Sequence, residues 1–150
     1  MKIGIAGSGA VGGYLGALLK RAGHGVVFLA RGKHFEAMEA NGLTVISDDE
    51  KFVVDGTFTN SIHTFLDAEL IIFSVKSTDT FKMAEQINAL GNDQAIILTV
   101  QNGVDNEEIL SDIFGKNRIL SSATYMSSSV ERPGVIKKTG VVKLLIGALH

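Results

Sequence analysis

Three glycines near the amino terminus are the residues whose types and spacing point most directly to chemistry. Gly7, Gly9 and Gly12 are spaced as G-x-G-x-x-G and follow the apolar residues 3–6. In a dinucleotide-binding turn the first glycine permits the bend, the second admits a pyrophosphate, and the third allows close helix–sheet packing. The N–H groups that open the next helix then attract phosphate. The spacing therefore predicts a cofactor-binding turn at Gly7, Ser8, Gly9, Ala10, Val11 and Gly12.

The alternative for this segment is a flexible glycine loop that binds no ligand. The residues that follow argue against it, because positions 10–22 have the apolar periodicity of an amphipathic helix. The apolar face predicted for that helix comprises Val11, Leu15, Leu18, Leu19 and Ala22. A strand, a glycine turn and a helix in immediate succession are the context that the fingerprint requires.

The end of the second predicted strand, residues 26–30, indicates which dinucleotide is bound. Sites for NAD usually carry an acidic residue there, which bonds the ribose 2′-hydroxyl, whereas an arginine accommodates a 2′-phosphate. This chain has Arg31 at that point and no carboxylate beside it. A guanidinium can bind phosphate oxygens in a fork and stack on adenine. We therefore predict NADP(H) as the cofactor; the alternative is an ordinary exposed arginine, and Lys33 is expected to be exposed.

Two further strand ends carry polar residues. Lys76 follows an apolar run at residues 70–75, and Asn102 follows another at residues 95–100. Ligands of open α/β sheets bind beyond the carboxyl ends of the strands, so the Lys76 ammonium could meet a phosphate, a ribose or a substrate carboxylate. Asn102 offers an amide donor and acceptor, and Gly103 would let the backbone come close. Asn-Gly is also a common turn dipeptide, so spacing alone leaves both interpretations of Asn102 open.

Alternating strand and helix patterns predict the fold class. We expect a Rossmann-type, doubly wound α/β domain with a mostly parallel sheet and an antiparallel C-terminal hairpin, which would give the sheet a mixed edge. Pro133 and Gly134 mark the hairpin turn between residues 130 and 135. The predicted strands are residues 2–6, 26–30, 43–46, 52–54, 70–75, 95–100, 118–123 and 141–146, and the predicted helices are residues 10–22, 33–40, 78–90 and 105–114.

Composition limits the class of protein. A chain of 150 residues with 45% hydrophobic residues can form one domain with a substantial core. The net charge of −2 gives no attraction to nucleic acid or to an anionic membrane, and no apolar stretch is suited to spanning one. The chain has no cysteine, and its four histidines show no metal-ligand spacing. We therefore expect a cytoplasmic protein that binds no metal, no nucleic acid and no membrane.

Several segments together resemble one family, the ketopantoate reductases (2-dehydropantoate 2-reductases). They are the glycine turn, Arg31, the segment VKSTDT at residues 75–80, the turn QNG at residues 101–103 and the segment RPG at residues 132–134. No single motif is specific, but their order and spacing match over nearly the whole chain. One small departure is Ser8, where family members often carry a residue such as alanine.

The resemblance implies NADPH-dependent reduction of 2-dehydropantoate, a keto acid, to pantoate on the route to pantothenate. It implies that the three glycines cradle the pyrophosphate and that Arg31 takes the 2′-phosphate. It also implies that Lys76 lies near the cofactor and that Asn102 lies near the nicotinamide and the substrate.

Length is the large departure from the family, whose members have a second, all-helical domain that supplies the lysine and glutamate handling the substrate. We therefore expect residues 1–150 to be the dinucleotide-binding domain, with the helical catalytic domain absent, turnover by this chain alone negligible and self-association through the face left by that domain. No residue here is a convincing proton donor. Lys76 and Tyr125 are the candidates, whereas His24 and His63 fit surface and loop positions better.

Three functional interpretations remain open at this point. The first is the cofactor-binding half of a ketopantoate reductase. The second is a stand-alone NADP-binding module without catalysis, which would present a polar surface instead of an apolar docking face. The third is a related 2-keto acid dehydrogenase, because a shared fold does not determine the substrate.

Overall fold

The computed structural model describes residues 1–102 and 105–149, and the predicted backbone approach at Gly103 lies outside the described residues. The described strands are β1 (Lys2–Ala6), β2 (Gly25–Leu29), β3 (Leu43–Ile46), β4 (Lys51–Val54), β5 (Thr57–Thr59), β6 (Leu70–Phe73), β7 (Ile96–Thr99), β8 (Ile119–Arg132) and β9 (Val135–Ala148). The helices are α1 (Ala10–Arg21), α2 (Gly32–Asn41), α3 (Thr80–Asn88) and α4 (Asp105–Phe114), and short 3-10 turns lie at Ile62–Phe65, Ser77–Asp79 and Lys116–Arg118.

All the described strands join one sheet in the order β4-β3-β9-β8-β7-β6-β1-β2-β5. Only the β3–β4 and β8–β9 pairs are antiparallel among the described residues. From β1 the chain first adds β2 on one side and later adds β6 on the other. The direction of winding therefore reverses between β1 and β6, and this reversal opens a crevice at the carboxyl ends of the strands.

Helices cover both faces of the sheet, as the doubly wound prediction requires. One buried cluster joins α1 and α2 to the sheet through Tyr14, Ala17 and Met38. The other joins α3 and α4 to the opposite face through Ile87, Leu110 and neighbouring side chains. The Rossmann-type fold class predicted from the sequence is confirmed.

Helix α1 approaches the sheet through its smallest residues. Gly12, Gly13, Gly16 and Ala17 are buried, whereas Leu18 is exposed. A Cβ built on Gly16 would lie 2.5 Å from Cε1 of the buried Phe28 ring. The predicted apolar face is therefore only partly right: Val11, Leu15 and Leu19 pack against the core from the sides, and Leu18 and Ala22 are exposed.

The C-terminal hairpin is present but longer and placed differently than expected. Its two strands have 14 residues each, and Gly134 turns the chain with φ +79°. The hairpin does not form the edge of the sheet, because β9 pairs in parallel with β3 and the antiparallel strand β4 lies outside β3. Strand β5 and the 3-10 turn at Ile62–Phe65 were not predicted, because segments of three or four residues are too short to show a periodicity.

Replacing Gly16 with alanine tests the close packing of α1. Alanine favours a helix, but its Cβ would overlap the Phe28 ring, and Phe28 is fully buried and has little room to shift. We expect the free energy of unfolding to fall by about 1–3 kcal/mol in urea denaturation. Gly147→Ala is the control, because a Cβ there would meet no heavy atom within 4 Å. Equal stability of the two variants would contradict the packing described here.

Candidate functional site

The glycine turn lies where the chain leaving β1 runs close beside the chain leaving the parallel neighbour β6. Gly7 has φ +98°, in the left-handed region that glycine tolerates best. A Cβ on Gly7 would lie 2.9 Å from the backbone nitrogen of Val75. On Gly12 a Cβ would overlap the Gly7 carbonyl oxygen and Ser74 Oγ, and Ser74 Oγ itself donates to that carbonyl at 2.5 Å. The fold itself therefore requires a residue without a side chain at positions 7 and 12.

Gly9 differs from these two glycines because the protein itself does not require it. Its φ of −76° suits any residue, and a Cβ built there would meet no described heavy atom within 4 Å. The side of the turn on which Gly9 lies is therefore open. A bare backbone at an open position is what a ligand that approaches the main chain would need.

The start of α1 has the features of an anion-binding helix end. Gly9 is its N-cap and makes no side-chain cap bond, and the first turn, which begins at Ala10 and Val11, carries no acidic residue. Ser8 is 2% exposed, and its backbone N–H donates to the Leu29 carbonyl at 2.9 Å. Its Oγ has no hydrogen-bond partner among the described residues. Free N–H groups and an unsatisfied buried hydroxyl together fit a phosphate-bearing cofactor.

His34 fixes the far side of the glycine turn, and the sequence analysis did not single it out. Its Nε2 lies 2.7 Å from the Ser8 carbonyl oxygen, and its Nδ1 accepts from the Gly134 backbone N–H at 2.9 Å. These partners define the neutral tautomer with the proton on Nε2. They lie 26 and 100 positions away along the chain, so no local pattern in the sequence indicates them.

Arg31 stands at the carboxyl end of β2, as expected from the sequence. It is the N-cap of α2, makes no side-chain cap bond, and its side chain is 89% exposed. The Asp79 carboxylate, which comes from the segment after β6, lies 3.7 Å from its guanidinium. Lys33 is exposed, as predicted. Arg31 is therefore a largely exposed cation at the mouth of the crevice.

Lys76 and Asn102 are both exposed at neighbouring strand ends, and a buried amide network joins their loops. Gln101 Nε2 donates to the Val75 carbonyl at 2.8 Å and to Thr80 Oγ1 at 2.7 Å. Thr80 in turn donates to Asn106 Oδ1. Asn106 Nδ2 donates to the Asn102 carbonyl at 2.9 Å and to Ser77 Oγ at 3.0 Å. The network fixes the two loops relative to each other, and its members Thr80 and Asn106 were not identified from the sequence.

A recess of about 280 Å³ opens beside Asn102. Glu107, which accepts a hydrogen bond from Ser121, forms one wall, and the half-exposed Tyr125 forms another. Gln101, Ser122, Ala123 and Thr124 complete the lining. The recess has room for a small molecule, and of the two predicted proton-donor candidates it includes Tyr125.

The opposite end of the sheet carries an exposed ion pair. Lys2 Nζ donates to the Asp67 carboxylate at 2.7 Å, and this hydrogen bond raises the pKa of Lys2 and lowers the pKa of Asp67. Both groups lie at the amino ends of the strands, away from the glycine turn. The described residues contain no cluster of His, Cys, Asp and Glu able to hold a metal ion. Within the same residues, each helix is too short or too polar to cross a membrane.

Known proteins share this fold and sequence pattern. A family model described as ketopantoate reductase PanE/ApbA matches residues 3–150. The 2-dehydropantoate 2-reductase of Pyrococcus horikoshii is 33% identical over 147 residues, which are 98% of this chain and 47% of the relative. The structure of a PanE/ApbA family ketopantoate reductase from Ralstonia eutropha JMP134 superposes with a TM-score of 0.93 at 34% identity, covering 97% of this chain and 49% of that one.

A further structural neighbour is an enzyme with a different name. The ternary structure of D-mandelate dehydrogenase with NADH and anilino(oxo)acetate superposes with a TM-score of 0.88 at 25% identity and covers 97% of this chain and 48% of that one. In each of these comparisons the chain spans about half the length of the protein it matches.

Replacing His34 with alanine tests the link between the glycine turn and the hairpin. The change leaves the Ser8 carbonyl and the Gly134 N–H without these partners, so we expect a loss of about 1–3 kcal/mol in the free energy of unfolding. Hydrogen exchange at the Gly134 amide should accelerate. His63→Ala, at an exposed position, serves as the control. Unchanged exchange at Gly134 would show that His34 does not hold the hairpin turn.

Proposed function

The chain belongs to the ketopantoate reductase family, and on this premise we propose that residues 1–150 form the dinucleotide-binding domain of an enzyme that reduces 2-dehydropantoate to pantoate with NADPH. The open backbone at Gly9 carries the cofactor proposal. Packing within the protein accounts for Gly7 and Gly12, whereas the missing side chain at Gly9 is explained by a ligand that needs the space.

Different residues would contact different parts of the cofactor. The N–H groups at the start of α1, from Ala10, Val11 and Gly12, would face the pyrophosphate, and the unsatisfied Ser8 hydroxyl lies in the same turn. Lys76 would lie along the cofactor, and Asn102 would contact the nicotinamide and the substrate. When bound, the reduced nicotinamide supplies the hydride that the keto carbon receives.

Arg31 would bind the 2′-phosphate that distinguishes NADPH from NADH. Its exposed guanidinium is free to fork onto phosphate oxygens, and the residues that precede it at the end of β2 carry no acid. NADH is the cofactor in the D-mandelate dehydrogenase structure, so the choice between the two dinucleotides is a proposal about this chain's own residues.

Reduction of a ketone also needs a proton from a placed acid. The family resemblance assigns that role to residues of a helical domain, and the greater length of the relatives is compatible with such a domain. We propose that the acid comes from there and that the described residues bind and orient. Asn102 beside the recess would hold the keto acid, and the amide network through Asn106 would keep Asn102 in place.

A second candidate is reduction of a different 2-keto acid. It is favoured by the D-mandelate dehydrogenase neighbour, whose structure contains anilino(oxo)acetate. Steady-state rates of the full gene product with a panel of 2-keto acids separate the two candidates. Highest kcat/KM for 2-dehydropantoate supports the first proposal, and preference for an aryl keto acid supports the second.

The location of the protein and its binding partners can also be proposed. We propose a cytoplasmic location, supported by a sequence without cysteine, and a keto acid partner rather than nucleic acid, supported by the small net charge. Exposed apolar side chains along the hairpin, among them Val141, Leu145 and Ile146, support contact with a further domain or a second copy over a polar stand-alone surface.

Replacing Arg31 with alanine tests the cofactor choice. We expect NADPH binding to weaken by about 1.5–3 kcal/mol, because only NADPH loses charge-assisted bonds to its 2′-phosphate, while NADH affinity stays nearly constant. Fluorescence titration of both cofactors measures the effect. Lys33→Ala removes a neighbouring exposed cation and should weaken NADPH far less. An equal loss for both cofactors with Arg31→Ala would refute the assignment.

Replacing Gly9 with valine tests the open position of the turn. A Cβ at position 9 would meet no described heavy atom within 4 Å and the φ of −76° is not left-handed, so the free energy of unfolding should change by less than about 1 kcal/mol. Binding of NADPH and NADH should both fall by more than about tenfold, because the side chain would fill the pyrophosphate approach. Gly9→Ala should give a smaller loss. Unaltered affinity of the valine variant would contradict the site.

A further inference from the structure

We propose that Asp79 limits the preference for the 2′-phosphorylated cofactor by competing with the phosphate for Arg31. The inference rests on the proposed function, in which Arg31 binds the 2′-phosphate. It adds a specificity-determining residue that lies on a different strand end from Arg31. The Asp79 Oδ2 and Arg31 Nη2 atoms are 3.7 Å apart.

The two residues face each other across the crevice. Arg31 follows β2 and Asp79 lies in the segment after β6, and β2 and β6 are the two neighbours of β1. The glycine turn leaves β1 between them. An anion held at Arg31 would therefore lie close to the Asp79 carboxylate.

Asp79 is the fixed member of the pair. Its backbone N–H donates to the Lys76 carbonyl at 2.8 Å, and the next residue, Thr80, is fully buried in the amide network. Aspartate is a preferred N-cap residue, and Asp79 occupies that position of α3, yet its side chain makes no cap bond. The carboxylate is thus available to Arg31, whose own side chain is 89% exposed and can move.

The negative charge of Asp79 should affect the binding of NADPH and of NADH in opposite directions. A 2′-phosphate must draw Arg31 from Asp79 and then tolerate a nearby carboxylate. A 2′-hydroxyl carries no charge, and a carboxylate can accept its hydrogen bond. An exposed ion pair is weak, so Arg31 remains able to exchange partners. Asp79 therefore supplies, from the segment after β6, a negative charge that the residues at the end of β2 do not carry.

Asp79→Asn tests the proposal on the chain as it exists, by titration with NADPH, NADH and 2′,5′-ADP. We expect the variant to bind NADPH and 2′,5′-ADP about three- to tenfold more tightly and to bind NADH equally or more weakly. High salt should reduce the gain, because it screens exposed charges. Glu85→Gln is the matched control, since it removes the same charge from an exposed position on α3. Unchanged or weaker NADPH binding by Asp79→Asn, or an equal gain in the control, overturns the proposal.

A double variant, Asp79→Asn in an Arg31→Ala background, tests whether Asp79 acts through Arg31. If Asp79 acts by holding Arg31, the gain from Asp79→Asn should shrink in an Arg31→Ala background, and a gain of the same size overturns the proposal. Failure of the Asp79 proposal can be distinguished from failure of the 2′-phosphate assignment. A selective loss of NADPH binding in Arg31→Ala with no effect of Asp79→Asn refutes this inference alone. An equal loss of both cofactors in Arg31→Ala refutes the 2′-phosphate assignment and this inference with it.

Discussion

The close contact between two backbone segments at the ends of β1 and β6 is the constraint on which this structure depends. The turn after β1 passes the chain leaving β6 so tightly that Gly7 and Gly12 have no room for a side chain, and Ser74 is hydrogen-bonded to the Gly7 carbonyl. This contact lies where the strand order reverses direction, so it sets the floor of the crevice. The small residues of α1 extend the close contact and aim the start of the helix at the same point.

Around this close backbone contact, polar contacts between distant segments position the rest of the site. His34 joins the glycine turn to the hairpin, and the network through Asn106 joins the loops that carry Lys76 and Asn102. Three of these contacts also satisfy backbone groups, namely the Ser8 and Asn102 carbonyls and the Gly134 N–H. The exposed side chains at the rim, Arg31 among them, are held only by weak surface interactions. A well-connected floor with an exposed rim is the arrangement that the proposed cofactor site requires.

Local patterns in the sequence predicted the elements well and the contacts between them poorly. Strand β1, strand β3 and helix α4 have the predicted bounds, and the turn at Gly134 lies where Pro133 and Gly134 indicated. The pairing of β9 with β3 was not foreseen, because pairing partners leave no periodicity in either strand. The buried face of α1 was partly mispredicted, because glycines contribute little to an apolar pattern and Leu18 remains exposed. The contacts of His34, of Asn106 with Thr80 and Ser77, and of Asp79 with Arg31 were not predicted, because these partners are distant in the sequence.

The central claim is that the bare backbone at Gly9 and the N–H groups of Ala10, Val11 and Gly12 receive the pyrophosphate of a dinucleotide. Titrating the ¹⁵N-labelled chain with NADPH and following its amide resonances tests this most directly. We expect the largest shifts on the amides of Gly9, Ala10, Val11 and Gly12, with smaller shifts near Arg31. Saturable binding that leaves those four amides unmoved, or that shifts resonances only at the opposite end of the sheet near Asp67, would contradict it.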